Sequence, residues 1–115
     1  MRIDVITLFP EVFAGFLGSS IPRIALEKGL VDVRLVNLRD YADDERGTVD
    51  DRPFGGGPGM VLMCKPVFAA VRGVTGGDPD AGLVMLSPQG ERFEQRIARE
   101  FAARLGALPA TSRRR

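Results

Sequence analysis

The chain has 115 residues, of which 44% are apolar and 27% charged, with a formal net charge of +1. Those values describe one soluble domain with a modest core, exclude bulk attraction to nucleic acid, and leave no apolar run long enough to cross a membrane. With no histidine and one cysteine, the chain also lacks an internal disulfide, the usual general base and the commonest metal ligand.

Met1-Arg2-Ile3-Asp4 enters a strand-like pattern at once, which leaves no room for a signal peptide and implies a cytoplasmic protein. Ile3 to Leu8 is a nearly continuous apolar run ended by Phe9-Pro10, the pattern of a buried parallel strand. Asp4, inside that run, is expected to pair at the sheet edge. Glu11 to Phe16 predicts a short helical turn before Gly18. Ser19 or Ser20 then caps a helix with Pro22 in its first turn and Ile21, Ile24 and Ala25 on its buried face. Gly29 is its expected stop.

Val31 to Asn37 alternates, with Val31, Val33 and Leu35 on one face and Asp32 and Arg34 on the other. Period two predicts a half-buried strand, and the strand, helix, strand order predicts a parallel crossover. Ala42 to Met60 has no period; so long a stretch in a compact domain is either functional or disordered. Val61 to Cys64 reads as a short strand, and Lys65-Pro66 opens a helix ending near Gly73. Cys64 is expected to be a small buried hydrophobe, and Phe13, Phe16 and Phe68 to be core residues.

Gly76-Gly77-Asp78-Pro79-Asp80 is turn chemistry. Leu83 to Leu86 predicts another buried strand, stopped by Ser87-Pro88-Gln89-Gly90. A helix follows from about Arg92 to Leu105, with Phe93, Ile97, Phe101 and Leu105 every four residues. Arg92, Arg96, Arg99 and Arg104 lie off that stripe and read as a solvated face, with RNA contact as the alternative. An alternating α/β chain would now enter another strand. None comes, and residues 107–115 end in Arg113-Arg114-Arg115, without which the chain is net acidic. The expectation is an α/β domain lacking its C-terminal part.

Thr48 to Met60, TVDDRPFGGGPGM, carries the most chemistry. Four glycines and two prolines exclude a regular helix or a central strand. The segment fails as G-x-G-x-x-G because Met60 stands at the last position, and no glycine precedes Lys65 to make a P-loop. It is either a flexible connection or an ordered loop whose bare backbone approaches a ligand. Asp50 and Asp51 can accept donors from a base edge, bind a metal, or pair with Arg46 and Arg52. The Ser87 to Gly90 turn is the second candidate, since open α/β sheets bind ligands at the carboxyl ends of strands.

Four segments together resemble the bacterial tRNA (guanine-N1)-methyltransferase family: Met1 to Pro10, Asn37-Leu38-Arg39-Asp40-Tyr41, Thr48 to Met60, and Leu86-Ser87-Pro88-Gln89-Gly90. The resemblance covers Met1 to about Leu105, roughly the first half of a full-length member. It implies a parallel-sheet α/β fold, the knotted SPOUT-like methyltransferase domain, working as a homodimer. The reaction implied is methylation of the guanine immediately 3′ of the tRNA anticodon by S-adenosyl-L-methionine. Leu86, Ser87, Pro88, Gln89 and Gly90 would line part of the cofactor site; Asp50, Pro58 and Gly59 would lie near the target guanine.

The chain departs from the family in two places. Glu45-Arg46-Gly47 stands where members often have a histidine. A Gly-x-Tyr-Glu-Gly-x-Asp-Glu-Arg motif is absent after the last helix, and the family's catalytic aspartate and partner arginine belong to the region that should follow. Residues 1–106 are therefore expected to be a partial methyltransferase domain, truncated before the knot is complete and inactive alone. Residues 107–115 would be a basic tail foreign to the family. The other readings are a stand-alone RNA-binding module and a non-functional truncated product.

Overall fold

The first strand and the alternating segment pair as their patterns imply. Arg2–Thr7 (β1) and Asp32–Asn37 (β2) run parallel, with Arg2 opposite Asp32 and Thr7 opposite Asn37. The computed structural model describes residues 1–106. They fall into two units, one of Arg2–Ala81, the other of Met1 with Gly82 onward. The basic tail of residues 107–115 lies outside the described residues.

Parallel neighbours cannot be joined by a hairpin. The connection is a 3-10 turn at Pro10–Val12 followed by Phe13–Leu17 (α1) and Ser20–Glu27 (α2). Ser19 takes the N-cap position of α2 with extended backbone, but its hydroxyl donates to the Gly15 carbonyl at 2.6 Å instead of capping. The other end closes as a Schellman motif. The Gly29 amide donates to Leu26 and the Leu30 amide to Ala25, with Gly29 at φ 65°. In the sheet, Asp4 faces Arg34 and also takes Arg2 Nε at 2.7 Å, the pairing role expected of it.

The core of this unit is small. Leu38, Val49 and Ala70 are buried, with Ile6, Leu8, Tyr41, Ala42 and Val67 packed around them. Leu38 opens a 3-10 turn, Leu38–Tyr41, whose first free amide (Arg39) donates to the Asn37 side chain at 3.0 Å. Ala70 comes from Cys64–Thr75 (α3), which runs two residues beyond the expected end. Arg2 ties β1 to α3 by donating to the Val74 carbonyl at 3.0 Å.

Five residues expected to be buried lie elsewhere. Cys64 is exposed, and so are Phe16, Phe68 and, on the expected buried face of α2, Ile21 and Ile24. Apolar periodicity selects a helix face, but burying that face takes a second layer. Within Arg2–Ala81 the packing centres on Leu38, Val49 and Ala70, away from these side chains.

The aperiodic stretch contains one strand that its composition conceals, and its partner begins the short strand expected from Val61. Asp50–Asp51 (β3) pairs antiparallel with Val61–Leu62 (β4), Asp50 opposite Leu62. Aspartate is depleted in strands, and two residues show no period. Next to this pair the Met63 amide donates to the Val49 carbonyl at 2.8 Å. On the other side of Val49, Asp44 clamps Thr48: one carboxylate oxygen accepts its amide and the other its hydroxyl, both at 2.7 Å. These bonds, the hydroxyl first and the amide second, hold the Asp44 carboxyl below its ordinary value.

In the second unit, Leu83 to Leu86 is irregular and exposed, and belongs to neither sheet. This corrects the expected buried strand: an apolar run becomes a strand only where neighbouring backbone completes the ladder. The last helix is Gln95–Gly106 (α4), starting three residues later than expected. Phe93 and Phe101 of its apolar stripe meet with ring centroids 6.2 Å apart. On the charged side Arg96 pairs with Glu91 and Glu100.

Two predictions follow from the packing. A Cβ on Gly73 would lie 2.8 Å from the Tyr41 ring. Helix propensity favours alanine there by about 0.5–1 kcal/mol, whereas overpacking costs about 1–3 kcal/mol. Gly73→Ala should therefore lower the urea midpoint, and the loss should shrink in a Tyr41→Leu background. The Asp44 clamp should be complete above the ordinary carboxyl value of 3.8 and open as pH falls through the lowered value of the folded state. In Thr48→Val, the Asp44 titration followed by NMR should move up toward 3.8.

Candidate functional site

The glycine-rich segment is an ordered hairpin loop. The β3–β4 pair closes its base, and a turn shapes its tip: the Gly56 amide donates to the Pro53 carbonyl at 3.0 Å. Gly55, third of the four turn residues, has φ 85°, as a type II turn requires. Gly56, Gly57 and Gly59 are also left-handed, at φ 79°, 116° and 94°. A Cβ at any of the four would meet nothing within 4 Å. The glycines therefore serve backbone conformation and leave the main chain bare to approach.

Asp50, Pro58 and Gly59 are thereby brought onto one hairpin, with Asp50 half-buried at its base and the other two exposed. Asp51 accepts the Arg52 amide at 2.7 Å. Neither Arg46 nor Arg52 forms an ion pair among the described residues, so the Asp50 and Asp51 carboxylates are not neutralised by them. Nor does any group of three or more His, Cys, Asp or Glu among the described residues gather as a metal site. What remains is a loop with carboxylate acceptors, free amides and a guanidinium, suited to the polar edges of a flat heterocycle.

Beside the loop's base, Asp43, Asp44, Thr48, Met63, Lys65 and Pro66 enclose a concavity of about 260 Å³. Lys65 pairs with Asp43 at 2.7 Å, but both are exposed and the pair contributes little. The Asp44–Thr48 clamp has only one signal in the residues, the Asp-x-x-x-Thr spacing, since short polar side chains commonly bond backbone a few residues away.

In the second unit, Leu86 to Gly90 are all exposed. The Gly90 amide donates to the Ser87 carbonyl at 3.1 Å, and the Gln89 amide to the Ser87 hydroxyl at 3.2 Å. Four of the five expected cofactor residues (Leu86, Ser87, Pro88 and Gly90) border an open cleft of about 760 Å³. Its other walls include Phe93, Ile97 and Phe101; Gln89 is not among its lining residues. Apolar walls with a few polar groups suit an organic ligand with a flat apolar body. The turn does not stand at the carboxyl end of a parallel strand, because residues 83–86 form no strand.

A family model described as tRNA (Guanine-1)-methyltransferase TrmD matches residues 1–108. Among similar proteins, the tRNA (guanine-N(1)-)-methyltransferase of Geobacillus kaustophilus is 54% identical over 102 residues, and that of Bacillus subtilis 50% over 103. Each alignment covers 89% of this chain and 42% of the relative, so the chain spans about two fifths of their length. The crystal structure of tRNA (m1G37) methyltransferase from Aquifex aeolicus superposes with a TM-score of 0.78 at 33% identity, covering 89% of this chain and 46% of that one. Nearly the whole chain thus shares both the sequence and the α/β fold of one group of enzymes, and it belongs to the tRNA (Guanine-1)-methyltransferase TrmD family.

Proposed function

We propose that this chain forms the target-guanine wall, and part of the cofactor wall, of a cytoplasmic enzyme that methylates N1 of the guanine 3′ of a tRNA anticodon. The observation that supports this most is the ordered Thr48 to Met60 hairpin in a member of this family. S-adenosyl-L-methionine supplies the methyl group when bound. Leu86, Ser87, Pro88, Gln89 and Gly90 hold part of it, in keeping with the apolar cleft beside that turn.

Guanine N1 carries a proton at neutral pH, so a base must remove it as the nitrogen becomes nucleophilic. A neighbouring cation would stabilise charge developing on the guanine oxygen. Asp50, Pro58 and Gly59 place the base; they do not take the proton. The proton goes to an aspartate, with an arginine partner, outside the two fifths of the relatives' length that this chain spans. Residues 1–106 act as part of a knotted, homodimeric methyltransferase domain, with 107–115 as an appended basic tail. Alone, the chain neither binds the cofactor tightly nor transfers methyl groups.

Two measurements test this. Purified 115-residue protein should give no single-turnover methylation of tRNA, and robust methylation would refute the division of labour. A chimaera in which residues 1–106 replace the matching segment of the Bacillus subtilis relative should methylate guanine N1. In it, Gly59→Val should lower kcat/KM at least tenfold, through strain at φ 94° beside the base. An inactive but folded chimaera would sink the assignment of the loop.

A further inference from the structure

Among the large hydrophobic residues described, the one most open to solvent is aromatic. Phe54, at the tip of the hairpin, has a relative exposure of 108%, far above Phe16 at 65% or Phe93 at 63%. An apolar ring in water gains nothing for the fold. Nor does it hang on a loose tether: Pro53 precedes it, and Phe54 and Gly55 are the two central residues of the turn closed by the Gly56 amide. That turn holds the ring outward, so little freedom remains to be lost on binding.

Its surroundings point to the class of partner. The sequence neighbours are the unpaired guanidinium of Arg52, the Asp51 carboxylate and the bare, left-handed glycines 55 to 57. A protein hot-spot aromatic is ringed by residues that exclude water. Here the ring stands among donors and acceptors, which suits a ligand with a flat π face and polar edges. Unstacked bases in single-stranded RNA loops are recognised in that way, by aromatic stacking and edge hydrogen bonds.

We propose that Phe54 is a positioning residue that stacks on an unpaired base of the RNA substrate next to the guanine to be methylated, while the carboxylates and amides of the hairpin address base edges. The assignment rests on the reading of the loop as an RNA site and names the residue that gives it affinity. Stacking is tolerant of base identity, so Phe54 sets affinity and the polar groups set the choice of base.

The test uses the 115-residue protein and a hairpin RNA with an anticodon-like loop, carrying 2-aminopurine beside the guanine. Binding should quench the 2-aminopurine. Phe54→Tyr should bind within about twofold of the parent, whereas Phe54→Leu and Phe54→Ala should bind about 5- to 150-fold more weakly, the range carried by one stacked base. The slope of affinity against salt should not change, because no phosphate contact is lost. If Phe54→Ala binds and quenches like the parent, the proposal is overturned and the loop remains an RNA site. If the parent binds no RNA, the reading of the loop falls, and the proposal with it. If Phe54→Ala abolishes self-association in sedimentation while leaving RNA binding intact, the ring belongs to a protein contact and the proposal is wrong.

Discussion

The glycine-rich hairpin is fastened to the fold at Val49. Its side chain is fully buried against Leu38 and Ala70, and its carbonyl accepts the Met63 amide at 2.8 Å. One residue back, Thr48 is held by Asp44 through two short bonds. Both ends of a glycine-rich loop are thereby anchored, one by a charged clamp and the other by a strand pair. Left-handed glycines lose the most conformational freedom on ordering, so an unanchored loop of this composition would not keep one shape. Anchoring it to a core of few buried residues makes the shape of the site depend on that core.

The core is assembled from segments distant in sequence. Leu38 arrives from the turn after β2, Val49 from the loop, and Ala70 from α3. Packing of α3 is set by close contact between Gly73 and the Tyr41 ring, where even a methyl group would collide. The parallel β1–β2 pair lies beneath, joined to α3 by Arg2 and internally by the Arg2–Asp4–Arg34 charges. The hairpin thus rests on residues from the turn after β2 and from α3, with most of its own residues exposed. Loops held by a rigid scaffold are where binding groups are commonly found.

Much of this was legible in the residues. The two parallel strands, the capped end of α2, the start of α3 and the apolar stripe of α4 each carry a local signal: a run, an alternation, a glycine stop or a four-residue repeat. The four family segments were legible too, because short motifs in fixed order are specific in combination, and the family match over residues 1–108 agrees with them. Burial was read less well. Cys64, Phe16, Ile21, Ile24, Phe68 and the run from Leu83 to Leu86 are apolar yet exposed, and the strand expected of that last run is absent. Hydrophobicity states what a side chain prefers; it does not say whether another layer is present to satisfy it.

By itself, then, the sequence determined the first two strands, the main helices and the family, because each is encoded within a few neighbouring residues. Only the tertiary structure decided that Asp50 and Asp51 pair with Val61 and Leu62, that Val49 is the buried anchor and that Phe54 is turned wholly outward. Those outcomes depend on which distant backbone completes a ladder and which distant side chain fills a core, and no local pattern carries that information.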